Sequence, residues 1–296
     1  MPHVFPFPAR RRIAGSLLGE ATSIRRGEST DVAGSRLYVS GDDPRAIDWS
    51  GSARLSAIRG RDVFLVREFY AEETPVAVIV SDRSPSMNVR PATGTPFLSK
   101  PDTLTRVAAL IADSAAAARS RFAYFELRLD GPFFSRPGTR GARAALEHWT
   151  AEPGSSGARS ADELLLALTA ERAHLPRGTL VFLLSDFLLE PSPASWPLVL
   201  DAGWEVVPVV IQDPVWEQSF PLEAAGLVLE QLDGPFRIGK RMAARLKRLH
   251  EQRTAEIAAW GVQHGFSAVV PQGYEPGQLV EAFTVWASTF EPQLSA

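Results

Sequence analysis

Cysteine is absent from the sequence. That excludes disulfides, thiolate nucleophiles and cysteine–zinc sites, and it fits a reducing cytosol. Lysine is nearly absent: of 31 Lys and Arg residues, only Lys100, Lys240 and Lys247 are lysine. The pattern reads as a GC-rich coding bias rather than as chemistry. No charge of one sign dominates, and a net charge of −3 gives no general reason to expect nucleic-acid or anionic-membrane binding. Long apolar runs are missing. No stretch approaches the roughly 18 uninterrupted apolar residues of a membrane span, and the best candidate, TLVFLLSDFLL, is split by Asp186. The stretch MPHVFPFPARRR sets three prolines ahead of its arginines and holds no apolar core of signal-peptide length. The expectation is a soluble, cytoplasmic protein with no membrane span and no nucleic-acid partner.

Common catalytic motifs are also missing. There is no G-x-S-x-G elbow and no G-x-x-x-x-G-K-[ST] phosphate loop, and TGTPFLSK does not substitute for one. The histidines (His3, His148, His174, His250, His264) show no metal-ligand spacing. The basic stretch from Lys240 to Arg253 could touch a partner or nucleic acid, but a solvated helix face is the favoured reading.

What is present is ordinary for a globular chain able to bury a core: 45% hydrophobic and 22% charged residues. Residues 1–74 are polar, Arg-rich and strand-rich, closing with the alternating strand DVFLVREFY. From Pro75 the texture changes. VAVIV is a continuous β-branched run, as expected for a strand covered on both faces of a parallel sheet. Then follow, in order, a loop (PATGTPFLSKP), the helix TLTRVAALIADSAAAARS, the strand FAYFELRLDG, and helices over TRGARAALEHW and SADELLLALTAERAH. The strand TLVFLLSD, a short helix PASWPLVLDAG and the strand WEVVPVVIQD come next. An insertion of short strand-like pieces spans about 213–240, followed by the helix KRMAARLKRLHEQRTAEIAAW, a strand FSAVV and the helix QLVEAFTVWAST. Strands alternating with helices predict an α/β domain over 75–296 with a mainly parallel sheet flanked by helices.

In such a sheet, ligands bind outside the carboxyl ends of the strands. VAVIVSD ends in Asp82, TLVFLLSD in Asp186 and WEVVPVVIQD in Asp213. Asp82, Ser84 and Ser86 form a D-x-S-x-S loop. If the first two strands are neighbours, two carboxylates and two hydroxyls converge as hard oxygen ligands suited to Mg²⁺ or Mn²⁺. The plainer alternative makes both acids caps of the turns that follow. A phosphoryl-transfer aspartate expects a second acid where Ser84 stands. In GDDPRAIDW, Asp43-Pro44 is turn chemistry and Trp49 a core anchor, or else Asp42, Asp43, Arg45, Asp48 and Arg54 form a charge network.

LYVSGDDPRAIDWSGSAR, FLVREFYAEE, DRSPSM, LLSDFL and VIQDPVWEQSFPLEAAGLVLEQLDG together resemble the bacterial domain-of-unknown-function 58 family, from about Pro8 to about Tyr274. The resemblance implies a von Willebrand factor A-like, Rossmann-type fold with a metal-ion-dependent adhesion site. Asp82, Ser84 and Ser86 match its first motif and Asp186 its later acid. The family pattern also calls for a threonine before the third helix. SSGARSADELLLAL has none, and Ser160 is the nearest substitute, which leaves open whether the ion is kept or lost. The resemblance further implies a non-enzymatic adaptor or co-chaperone accompanying a MoxR-type AAA+ ATPase, with a partner carboxylate completing the coordination of Mg²⁺ or Mn²⁺. Two other readings stand beside it: a Mg²⁺-dependent phosphate-ester hydrolase using Asp82, and a metal-free interaction scaffold.

Overall fold

In the computed structural model, the described residues are 3–8, 10–14, 32–39, 42, 44–73, 76–88, 98–138, 147, 160–188, 199, 201–231, 234–264 and 267–289. The helix expected over TRGARAALEHW and most of the one over PASWPLVLDAG lie outside them. The chain divides into two compact units, one formed by residues 1–8 with 75–291 and the other by 9–74 with 292–296.

The smaller unit is an antiparallel sheet of β1 (Arg10–Ala14), β2 (Val32–Leu37) and β3 (Leu65–Glu73), in the order β1-β3-β2. Helix α1 (Trp49–Arg59) starts at the N-cap Asp48, whose carboxylate accepts from Gly51 N at 3.1 Å, and stops at Gly60 with φ 63°. Ser52 ties α1 to β3: its hydroxyl donates to Asp48 O and accepts from Leu65 N at 2.8 Å. Ser52 makes the close approach of α1 to β3, and Trp49, at the first position of the helix, is no core anchor. It is 64% exposed and meets the half-exposed Phe64 edge-on. The acids of this block have partners within the unit: Asp42 pairs with Arg36 at 2.7 Å, and Asp48 lies 3.5 Å from Arg67. Asp43 lies outside the described residues.

The larger unit is a three-layer α/β/α arrangement. Its sheet runs β6-β5-β4-β7-β8, built from β4 (Ala77–Ser81), β5 (Phe122–Arg128), β6 (Gly131–Gly138), β7 (Leu180–Ser185) and β8 (Glu205–Val210). All pairings are parallel except that of the edge strand β6, which turns back on β5. The period-two alternation of a strand sends neighbouring side chains to opposite layers. Ala77, Ile79, Phe182 and Leu184 meet α2 (Lys100–Ala117) and α5 (Pro276–Thr289). Val78, Val80, Val181 and Leu183 meet α3 (Ala161–Thr169) and Ile257 of α4 (Lys240–His264). Residues 3–8 join the first layer, where Phe5 stacks on Phe283 at 4.8 Å. The insertion folds as a hairpin, β9 (Val228–Gln231) with β10 (Gly234–Arg237), beside a small cluster of Phe220, Ala224, Ile238 and Ala243.

Two local expectations change. Helix α2 begins at Lys100 and not at Thr103, because Pro101 fits the first turn of a helix, where no backbone donor is needed. FSAVV is not a full strand: it makes one parallel bridge, Val209 to Val269. The ladder stops on both sides at prolines. Pro208 has no N–H to donate toward residue 267, and Pro271 none to donate to Val210. The Tyr274 hydroxyl replaces the lost rung, donating to Val210 O and accepting from Gln212 N, both at 2.9 Å.

Candidate functional site

The chain leaves β4 for β5 on one side and later returns to β7 on the other, so the topological switch point lies between the carboxyl ends of β4 and β7. The ladder there runs one residue past the strands, with Asp82 N donating to Leu184 O and Ile211 N to Ser185 O, each at 2.9 Å. Asp82 and Asp186 thus end adjacent strands, and both are nearly sealed from solvent, at 3% and 2% exposed.

Each carboxylate is held by identifiable donors. Asp82 accepts from Ser84 N at 2.8 Å through Oδ1 and from the Ser185 hydroxyl at 2.6 Å through Oδ2. Burial raises the Asp82 carboxyl above its ordinary range. The Ser185 and Ser84 hydrogen bonds oppose the shift, and the charge of Asp186 adds to it. The Ser84 and Ser86 hydroxyls lie 3.1 Å apart and bond each other. Asp186 accepts from Leu188 N at 3.2 Å through Oδ1 and from Lys100 Nζ at 2.7 Å through Oδ2. Lys100 Nζ also lies 2.6 Å from Glu217 Oε1. Directly after Asp186, the buried Phe187 adopts a left-handed φ of 48°, a costly conformation for a bulky residue and of the kind that gathers at functional sites.

Two further acids frame the crevice. Asp213, after β8, takes the N–H groups of Leu98, Val215 and Trp216 and so fixes the loops on either side. Glu126 on β5 is fully buried, bonded by Arg83 at 3.0 Å, by the Tyr124 hydroxyl at 2.8 Å and by Arg128. Arg83 is therefore directed to β5 and neutralises a buried carboxylate there. Burial, with the charge of Glu126 beside it, raises the Tyr124 phenol well above its ordinary value.

Of the five residues expected to hold a metal, Asp82, Ser84, Ser86 and Asp186 occupy the carboxyl ends of β4 and β7, and Ser160 is the N-cap of α3, its hydroxyl accepting from Glu163 N at 3.4 Å. The donor types suit Mg²⁺ or Mn²⁺, but the donors present are otherwise engaged. Asp186 is bound to an ammonium, Ser160 caps a helix, and the two serine hydroxyls bond each other. Among the described residues, no three His, Asp or Glu side chains form a group that could hold a metal ion. The set fits a divalent ion poorly. Lys100, Glu217 and Glu126 were not candidates from sequence. The available signal was Lys100 itself, one of three lysines in an Arg-rich chain, directly before a proline that opens a helix.

Fold and site define a Rossmann-type α/β protein with an oxygen-rich crevice at its switch point. The chain belongs to the DUF58 family, described as "Protein of unknown function DUF58", which matches residues 34–250. An uncharacterised protein of Mycobacterium tuberculosis (strain H37Rv) is 27% identical over 213 residues, covering 69% of this chain, and a counterpart in Mycobacterium bovis matches equally. The chain spans 62% of the length of these relatives. Among solved structures it is similar to an aerotolerance-related membrane protein from Bacteroides fragilis (12% identity, 73% of this chain and 100% of that one, TM-score 0.45). It is also similar to a von Willebrand factor type A protein from Catenulispora acidiphila (14% identity, 76% and 44% covered, TM-score 0.37). No described helix is long and apolar enough to cross a membrane.

Proposed function

We propose that this protein is a non-catalytic protein-interaction module, an adaptor working with a MoxR-type AAA+ ATPase, and that it engages its partner at the carboxyl end of the β4–β7 pair. The observation that carries the reading is the state of the two strand-end acids. A nucleophile or general base needs a carboxylate oxygen aimed at substrate. Here Asp82 and Asp186 are sealed from solvent and committed to internal donors. At the rim lie the exposed Pro85 and Asn88 and, between them, the half-buried Ser86. Such a crevice is built to hold its shape, as a docking site requires.

The test is calorimetric titration of the purified chain with a purified MoxR-type ATPase. Ser86→Arg, which places a bulky charge at the rim without touching the core, abolishes binding while leaving the unfolding midpoint unchanged. Full binding by Ser86→Arg would remove the crevice from the interface. Turnover of a phosphate ester that is lost in Asp82→Asn would replace the adaptor with the hydrolase.

A further inference from the structure

We infer that the Lys100 ammonium is the resident cation of this crevice and takes the place of a dissolved divalent ion. The inference concerns the charge of the site and stands apart from the identity of any partner.

Lysine is rarely buried unless paired. Lys100 is 3% exposed, and its ammonium is shared by acids from two different strand ends: Asp186 after β7 at 2.7 Å and Glu217 after β8 at 2.6 Å. Its backbone position does not explain this siting. Lys100 is the first residue of α2, where the positive end of the helix dipole disfavours a cation. The two carboxylates therefore hold it there. The neighbouring oxygen groups also have partners within the protein. Asp82 has a protein donor on each oxygen, and Ser84 and Ser86 bond each other. The Ser160 hydroxyl serves the α3 backbone. A divalent ion ligated by Asp186 would stand beside an ammonium of like charge, in a region shielded from solvent, where such repulsion is strong.

The test uses the full chain and two independent readouts. In the first, Mn²⁺ is titrated by calorimetry and by its paramagnetic resonance signal. The expected result is no saturable binding that depends on Asp82 or Asp186, and the same unfolding midpoint in Mg²⁺ and in chelator. Saturable binding lost in Asp82→Ala or Asp186→Ala would overturn the inference. In the second, native chain is treated with an acetylating reagent and mapped by mass spectrometry. Lys240 is exposed and Lys247 has a side chain 41% exposed; both react, while Lys100 is slower by at least about tenfold until the chain is unfolded. Lys100 reacting at the rate of Lys247 would show that it is not seated, again overturning the inference. Neither readout needs a Lys100 variant to fold. A folded Lys100→Met, judged by near-ultraviolet dichroism, is expected to gain a Mn²⁺ site that Asp186→Ala abolishes, and a folded variant without one would contradict the stand-in role.

Discussion

Tyr274→Phe removes one oxygen atom and, with it, an entire rung of the sheet. In a regular parallel ladder, residue 271 would donate its N–H to Val210 O and accept from Gln212 N. Residue 271 is proline, and the Tyr274 hydroxyl performs both duties at 2.9 Å. Val210 and Gln212 are fully buried and Tyr274 is 7% exposed. Phenylalanine therefore leaves a buried carbonyl and a buried N–H without the partner that the hydroxyl supplied. Each orphaned group costs about 1–3 kcal/mol. The two together come to roughly 2–6 kcal/mol, with the lower half favoured because the phenylalanine ring is itself easier to bury. Urea unfolding of both proteins, with an unchanged m-value, reads this as a lower midpoint. Hydrogen exchange at the Gln212 amide is expected to accelerate along with it. A variant within about 0.5 kcal/mol of wild type, with Gln212 still protected, would refute the account of how the sheet ends.

Three further outcomes concern individual charged groups. Arg83→Met strips one cation from the fully buried Glu126 and destabilises the fold by about 3 kcal/mol, the low end for a broken buried pair because Arg128 remains; adding Glu126→Gln recovers most of the loss in denaturant unfolding, and an unaltered Arg83→Met would contradict the pair. Burial raises the Asp82 carboxyl, so its ionised form opposes folding. Asp82→Asn is thus expected to raise the unfolding temperature at neutral pH, with the gain shrinking as pH falls below the raised value and Asp82 itself becomes neutral. In the smaller unit, Arg36 and then Val39 N hold Asp42 down at about 2, against an ordinary 3.8. The stability from this pair is present above the unfolded value and is lost as pH falls through about 2; a carboxyl-carbon resonance titrating near 3.8 would rule the pair out.

Much of the larger unit was legible because its strands announce their burial. VAVIV, TLVFLLSD and WEVVPVVIQD are apolar at nearly all consecutive positions; the first two become inner strands and the third the end strand β8, all with side chains buried on both faces. Asp82 and Asp186 were legible for the same reason, since a charge that ends such a run must sit at the sheet's rim. FSAVV misled because its strand-like composition says nothing about Pro208, about sixty residues earlier, on which its pairing depends. The hairpin return of β6 was missed: GPFFSRPG, with its Gly and Pro, resembles a loop until it is paired with β5. Lys100 was overlooked for a different reason. Its partners lie after β7 and β8, far away along the chain, and a single lysine carries no periodicity that could reveal such a contact. The segment PATGTPFLSKP reads as loop up to its last residues, and the helix start at Lys100 rests on Pro101, which can open a helix as readily as break one.

In this structure the crevice between β4 and β7 carries its own cation, the Lys100 ammonium. That siting is tested most directly by a crystal structure grown in manganese chloride, with anomalous differences measured at the manganese edge. The expected result is Lys100 Nζ between Asp186 and Glu217, at 2.7 Å and 2.6 Å, and no anomalous peak at Asp82, Ser84, Ser86 or Asp186. A manganese peak bound by Asp82 and the two serine hydroxyls, with Lys100 displaced from Asp186, would contradict it.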